Sequence, residues 1–393
     1  MYDQVSFFKF NKTTILVSFP HELNEIINDW NELRKCMLKK MPKEFTRDEW
    51  AYLITFLDKE NLNGIFLLTF GKETPSITGK ARLLLKPLGD VSVWLPNNVS
   101  MLGPLMLVLL TLTGNNVHIK AGTRSENLTV IFRDYILNNL SAGVLRTIMA
   151  QSITIEEFDR NDDRNIAMAR CAKTRIVFSS DETAMAIESL PHPVDSHGIY
   201  FTDKQSEVWA EIDAVDDFAV ETLIKVFTIF GQSGCTSPRR VILINGDEKS
   251  AIYFKKRIVD LWPRDMSRDI PQHIASENIM CWQWAKALGW DVALTYNNSS
   301  VIAAGNINLP ECKSHMFLPI VWANRSDLSS LLPANIQTVG HCLNDPFDIS
   351  WLNIISESNV KRYVPIRKMH HFGPVWDGYA FFRQLFEEVE ILE

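Results

Sequence analysis

Residues 230–240 read FGQSGCTSPRR and set Cys235 in a run of small and polar residues between two apolar segments. A thiolate is a strong nucleophile, and a thiol on an exposed loop with local donors ionises more readily. Taken alone, a cysteine is more often a small buried hydrophobe. The neighbours argue otherwise. Gln232, Ser233, Gly234, Thr236 and Ser237 offer amides and hydroxyls without bulk, so a substrate carbonyl can reach the sulfur and be held by N–H donors. The other five cysteines, Cys36, Cys171, Cys281, Cys312 and Cys342, have no such setting and form no CxxC pair. They read as thiols of a reducing cytoplasm, not as a zinc ribbon or disulfide scaffold.

The elements around this loop follow from hydrophobic spacing. Val215, Phe218, Ala219, Leu223, Val226, Phe227 and Phe230 recur three and four residues apart, the stripe of a helix that ends at Gly231. VILI, residues 241–244, reads as a buried strand, so Cys235 lies on a helix-to-strand connection. Upstream, Asp90 opens VSVWLP, followed by a polar turn at Asn97–Ser100, an apolar run Leu102–Leu112 and the short apolar NVHIK. Strand, helix, strand with a continuously apolar helix is the pattern of a βαβ unit in a buried parallel sheet. A helix over Ser125–Asn138 and a strand over Arg175–Phe178 extend that sheet. Residues 1–80 contribute a strand (Thr14–Phe19) and two helices (His21–Lys40 and Thr46–Leu57), and Pro191–Gly198 reads as a turn or boundary.

The chain has 393 residues, enough for two domains, and its 46% hydrophobic and 22% charged composition is that of a folded globular protein. A formal charge of -7 disfavours nucleic acid as a partner. The opening MYDQVSFFKFNKTT lacks the pattern of a secretory signal, and the Leu102–Leu112 run is about half the ~20 residues of a membrane span. A cytoplasmic protein without a membrane span is expected. His370-His371 lacks a third ligand at metal spacing and reads as part of a polar loop, so no metal is expected. Glu207 and Glu211 are candidate bases near the cysteine in sequence. FEEVEILE, residues 386–393, reads equally as an exposed tail or a packed helix end.

Residues 231–240, GQSGCTSPRR, resemble the nucleophile segment of the aldehyde dehydrogenase superfamily, G-Q-x-C followed by small residues and an arginine. The extra residue and the T-S-P-R are closer to the LuxC-type acyl-CoA reductases, the fatty-acid reductase family of bacterial bioluminescence. Two further blocks agree in order. Pro96-Asn97-Asn98-Val99-Ser100, the apolar helix and Gly114–Lys120 resemble P-W-N-F-P, helix, G-N-T-V-V-L-K. Arg362–Ile366 and Trp376-Asp377-Gly378-Tyr379 resemble the R-x-V-P and W-D-G-Y blocks.

The resemblance implies an aldehyde-dehydrogenase-like α/β fold. It has a Rossmann-type, NADP(H)-binding domain over 1–205, completed by 355–393, and an α/β catalytic domain over 206–354. It implies NADPH-dependent reduction of an acyl thioester, carried by CoA or a carrier, to an aldehyde through an acyl-cysteine at Cys235. Asn98, or Asn97 by another count, would donate to the oxyanion. Lys120, Thr123, Arg124, Ser179 and Ser180 would bind the cofactor. Many NAD-dependent relatives carry a ribose-gripping glutamate three positions after the lysine; Thr123-Arg124 here favours the 2′-phosphate of NADPH. Aldehyde oxidisers use a glutamate of an E-L-G-G block to activate water, whereas this chain has Phe201 near that place. An acyl-transferring or acyl-activating partner protein and a homo-oligomer are also implied. The alternatives are an aldehyde dehydrogenase oxidising aldehyde to acid, and a catalytically inactive nucleotide-binding scaffold subunit.

Overall fold

The computed structural model describes the backbone of residues 5–10, 13–18, 23–70, 82–97, 99–122, 127–264, 272–306 and 315–391. Side chains are described for these except 5–10, 13–18, 82–83, 273 and 297. The chain divides into two units, Met1–Thr202 with Gly373–Glu393, and Asp203–Phe372.

The first unit begins with β1 (Val5–Phe10) and β2 (Thr13–Ser18), then α1 (Leu23–Met37), α2 (Arg47–Phe56) and α3 (Lys59–Phe70). Thr46 and Glu49 cap α2 reciprocally, each satisfying the other's backbone N–H. Next come β3 (Arg82–Pro87), β4 (Asp90–Trp94), α4 (Leu102–Thr111), β5 (Asn116–Ala121), α5 (Leu128–Asn139), α6 (Val144–Gln151) and β6 (Ile153–Glu157). They are followed by α7 (Arg164–Cys171), β7 (Thr174–Phe178), α8 (Asp181–Glu188) and β8 (His197–Phe201). Strands β4 to β8 form one wholly parallel sheet in the order β6-β5-β4-β7-β8. That order reverses at β4, the doubly wound arrangement whose crevice lies at the carboxyl ends of the strands. Helix α4 is buried along nearly its whole length, as its all-apolar sequence demands.

The second unit contains β9 (Gln205–Ala210), α9 (Asp217–Thr228), β10 (Pro238–Ile244), α10 (Glu248–Asp260), α11 (Gln272–Ala287), β11 (Asp291–Leu294) and β12 (Val301–Ala304). It continues with β13 (Phe317–Ala323), α12 (Leu328–Leu331), β14 (Ile336–Cys342), α13 (Ile349–Ser356) and β15 (Arg362–Pro365). These strands make a seven-stranded sheet, β11-β12-β13-β10-β9-β14-β15, with β10 at its centre. Val241 and Leu243 face one core while Ile242 and Ile244 face the other, so the VILI run is apolar because both of its faces are covered.

Three expectations are corrected. Residues 355–372 belong to the second unit, because β15 hydrogen-bonds in parallel with β14. FEEVEILE is neither tail nor helix end: β16 (Phe386–Ile391) pairs antiparallel with β3, at the edge of the sheet β1-β2-β3-β16. Cys281 is disulfide-bonded, a pairing made by the fold and invisible in sequence spacing, whereas Cys36, Cys171, Cys235 and Cys342 are in no disulfide. Among the described residues no helix is long and apolar enough to cross a membrane.

Trp376 and Tyr379 exchange backbone hydrogen bonds of 2.8 and 2.9 Å around Asp377 and Gly378, which have φ of 51° and 83°. The W-D-G-Y block is therefore a tight turn with left-handed central residues, which an Asp-Gly pair tolerates. Trp376 packs on Phe178 and Phe201, the last residues of β7 and β8, themselves stacked at 4.5 Å.

Two glycines within helices should respond oppositely to substitution. A Cβ on Gly103 would lie 1.8 Å from Thr129 Oγ1 across the α4–α5 contact, whereas nothing lies within 4 Å of one on Gly64 in α3. Gly103→Ala should destabilise by about 1–3 kcal/mol through overpacking. Gly64→Ala should stabilise by about 0.5–1 kcal/mol through backbone entropy. Chemical denaturation of the two variants checks both signs.

Candidate active site

Cys235 is partly exposed on the connection between α9 and β10, at the amino end of the central strand. The connection is a series of turns closed by Gly231 N to Thr228 O, Ser233 N to Phe230 O and Ser237 N to Gly234 O at 2.8–3.0 Å. Gly231 and Gln232 have φ of 56° and 59°. Glycine adopts that region without penalty, but glutamine pays about 1–2 kcal/mol for it. The compensation is visible in the Gln232 side chain, which is completely buried. Its Nε2 donates to Pro238 O and Phe317 O, both at 2.9 Å, and its Oε1 accepts from Phe317 N at 3.1 Å. His315 Nδ1 donates to Gln232 O at 3.2 Å.

The last of these turns carries Cys235 and Thr236 as its central pair, and each is held. Ser206 Oγ donates to Cys235 O at 2.6 Å. Thr236 Oγ1 lies 2.7 Å from His370 Nδ1, and His370 Nε2 lies 2.7 Å from Val226 O. A carbonyl oxygen can only accept, so Nε2 carries the proton and Nδ1 accepts from the threonine hydroxyl. Burial pushes the His370 imidazole down to about 4. His370 is thus a neutral packed side chain and not part of a polar loop. Of the residues expected to surround a substrate carbonyl, Gln232 and Ser237 are instead turned inward and fully buried.

The charged residues near the loop divide into two kinds. Glu207 is 1% exposed and takes Arg240 Nε at 2.7 Å and Trp209 Nε1 at 2.6 Å. Glu211 accepts from Arg325 Nη2 at 3.1 Å and from Asn344 N at 2.9 Å. Both carboxylates are committed to structural partners. Arg239 is different: its Nη1 is buried with no hydrogen-bond partner. Desolvation pulls the Arg239 guanidinium below its ordinary range, while the negative charge of Cys235 pulls it back up.

In the first unit, the described candidate cofactor residues Lys120, Ser179 and Ser180 lie toward the carboxyl ends of β5 and β7 in the parallel sheet. Lys120 sits near the end of β5, 5.4 Å above the Phe158 ring, with its ammonium pKa lowered by burial and partly restored by Asp159. A Cβ on Gly122 would meet Asn97 Oδ1 at 2.6 Å and Pro96 O at 2.8 Å, so glycine lets the Pro96-Asn97 loop close against β5. Leu95, Pro96, Ala121 and Gly122 line a shallow cleft together with Asn127 and Leu128 from the start of α5. On the other side of β4, Ser179 donates to Ser180 O, and Ser180 caps α8 by accepting from Thr183 N. Asn98, Thr123 and Arg124 lie outside the described residues. Phe201 is 5% exposed within its aromatic stack. No cluster of metal-ligating side chains occurs among the described residues.

Sequence reasoning missed Ser206, His315 and His370. Ser206 lies 29 residues before Cys235 and His370 lies 134 after Thr236, and no local pattern marks either. Gln232 was visible as part of the G-Q pair, but its inward direction was not.

Gln232→Ala should destabilise the second unit by about 2–4 kcal/mol, because three backbone groups lose a buried partner; urea unfolding followed by tryptophan fluorescence measures it. Stability should also fall with acidification. Burial pushes both His341 and His370 down to about 4, and both ordinarily titrate near 6.5. Between those values the unfolded chain binds more protons, so the stabilisation is complete above about pH 6.5 and is lost as pH falls toward about 4. The thermal midpoint should drop between about pH 7.5 and 5.5, less steeply in His341→Gln; a flat profile would contradict the buried neutral state.

A family model described as acyl-CoA reductase (LuxC) matches residues 19–387. Comparison with curated protein sequences gave no match. Similar solved structures include glyceraldehyde-3-phosphate dehydrogenase GapN from Methanocaldococcus jannaschii in complex with NADP. That likeness has 14% identity and a TM-score of 0.65, covering 95% of this chain and 90% of that one. A salicylaldehyde dehydrogenase from Pseudomonas putida G7, complexed with salicylaldehyde, has 12% identity and a TM-score of 0.65, with 95% and 86% covered. Lactaldehyde dehydrogenase from Escherichia coli has 13% identity and a TM-score of 0.64, with 93% and 86% covered. These likenesses establish an aldehyde-dehydrogenase-like fold. The family match runs through both units, and the chain belongs to the LuxC family of acyl-CoA reductases, making it an oxidoreductase.

Proposed function

We propose that this protein reduces an acyl thioester to an aldehyde in two stages, with Cys235 as the nucleophile and NADPH as the reductant. The Cys235 thiolate adds to the thioester carbonyl, a new S–C bond forms, and the carrier thiolate leaves with the electron pair of the broken C–S bond. A bound reduced nicotinamide supplies hydride for the second stage. The tetrahedral alkoxide so formed on Cys235 would re-form its carbonyl as the C–S bond breaks, the sulfur leaving as thiolate and the aldehyde being released. The observation that carries the reading is the turn holding Cys235 partly exposed, clamped through its carbonyl and its neighbour's hydroxyl, in a chain of this family.

The cofactor reading is supported by the shallow cleft at the carboxyl edge of β4 and β5, lined by Pro96 and Gly122, the place where a doubly wound sheet takes a dinucleotide. Lys120 would hold the adenosine ribose, with Thr123 and Arg124 nearby and Ser179 and Ser180 toward the pyrophosphate. Thr123 in place of an acidic residue, followed by Arg124, favours a 2′-phosphate. Asn98 is the proposed side-chain donor to the oxyanion, with the Cys235 N–H as the second donor. Phe201, where aldehyde oxidisers carry a water-activating glutamate, suits an acyl-enzyme that must outlast hydrolysis until hydride arrives. CoA or a carrier protein would bring the acyl group, and an acyl-transferring partner protein and self-association remain part of the proposal.

Intact-mass analysis after mixing with acyl-CoAs of increasing chain length should show an acyl adduct on the wild type that NADPH clears, and no adduct on Cys235→Ala. Absence of any adduct on the wild type would overturn the reading, and steady NADPH production from aldehyde without added thiol would favour aldehyde oxidation instead. Asn98→Ala should lower kcat by about 10²–10³-fold. Arg124→Glu should weaken NADPH more than NADH in fluorescence titrations.

A further inference from the structure

We infer that His370 is a positioning residue for the nucleophile turn, acting through the Thr236 hydroxyl, and that the R-x-V-P segment exists in part to hold it there. This rests on the reading of Cys235 as the acylated residue. The chain of contacts runs without a break inside the second unit. Arg362, the first residue of β15, donates through Nη1 to Met369 O at 2.9 Å and through Nη2 to Lys368 O at 3.1 Å and His371 O at 2.8 Å. One guanidinium thereby gathers three carbonyls on both sides of His370 and fixes the backbone that presents the imidazole. Met369 is fully buried, and Gly340 on β14 makes room for it: a Cβ there would stand 2.3 Å from Met369 Sδ. The backbone flanking His370 is thus anchored on the sheet from below and by Arg362 from the side.

The imidazole carries that rigidity to the turn. Its Nε2–H is spent on Val226 O in the last turn of α9, and its edge packs on Phe230 with ring centroids 4.8 Å apart. Nδ1 therefore faces Thr236 as an acceptor only, and the threonine hydroxyl must donate to it. That single proton direction selects the rotamer of the residue following the cysteine. The ring joins the end of α9 to the last turn of the loop, the two ends of the segment on which Cys235 is carried. The groups facing the ring are Thr236, Val226 O, Phe230, Arg362 and His371, and the positive charge of Arg362 adds to burial in keeping the ring neutral. A neutral ring with both nitrogens occupied holds a geometry; it has no spare lone pair with which to act as a base.

The prediction is a defect in acylation out of proportion to any loss of fold. His370→Ala and Thr236→Val should each slow acyl-Cys235 formation from acyl-CoA, followed by rapid-quench mass analysis, by about 10–100-fold, the scale expected when a reacting group is misplaced by about 1 Å. Because both act through one hydrogen bond, the double variant should be no slower than either single one. Thr236→Ser, which keeps the hydroxyl, and His370→Asn, whose side-chain oxygen can accept, should recover much of the rate. The fall should appear in kcat with KM little changed, and circular dichroism should be that of the wild type. Multiplicative losses in the double variant, or acylation at the wild-type rate in His370→Ala, would overturn the inference. If the wild type itself formed no adduct, the function would fail, a result distinct from an adduct that forms equally fast in every variant.

Discussion

The side-chain amide of Gln232 is the interaction on which the candidate site depends. It presents two donors and one acceptor to backbone groups at the amino ends of β10 and β13, and all three are used in the interior. A buried amide that is fully satisfied rigidifies its surroundings, whereas the same amide displaced would strand every group it serves. That asymmetry holds Gly231 and Gln232 in the left-handed region and sends the chain outward before it returns as a strand. Cys235 rides on the excursion. Its scaffold is the central strand of a sheet covered on both faces, and a site borne on such an element keeps its geometry better than one on a free loop.

The charged residues near Cys235 differ in how they are held. Glu207 and Glu211, the carboxylates nearest in sequence, are bound into ion pairs with Arg240 and Arg325. Burying Glu207 is affordable because Arg240 and Trp209 fill both of its oxygens. Arg239, next to Arg240, has no such carboxylate on its Nη1, and its charge interacts with Cys235. Adjacent arginines on one strand thus differ: Arg240 is held by a buried carboxylate, whereas Arg239 Nη1 is buried without a hydrogen bond.

Much of this could be read from the residues before any fold was known. Continuous apolar runs such as VILI and LGPLMLVLLTL announced a sheet covered on both faces, and the structure has two such sheets. The connection carrying Cys235 was legible because small residues between a helical stripe and an apolar run mark a helix-to-strand loop. The strands from Ile336 onward were not, because polar buried residues such as Gln337 and Thr338 break the apolar pattern. FEEVEILE was ambiguous for a related reason: Glu387 and Glu388 fall on opposite faces of an edge strand whose burial fades toward Ile391, so no clean alternation marks it. His370 and Ser206 were beyond reach, since a contact across 134 residues leaves no periodicity to detect.

The first unit is assembled from both ends of the sequence described here. Asn115 reaches Leu385 O across 270 residues, and β16 lies beside β3. During synthesis, domains fold largely as they emerge from the ribosome. The Asp203–Phe372 unit is contiguous and can close as soon as it is exposed, while β3 keeps one edge unpaired until β16 is made. An unpaired strand edge is therefore exposed longest during synthesis at β3, the place where mispairing with another chain is most open.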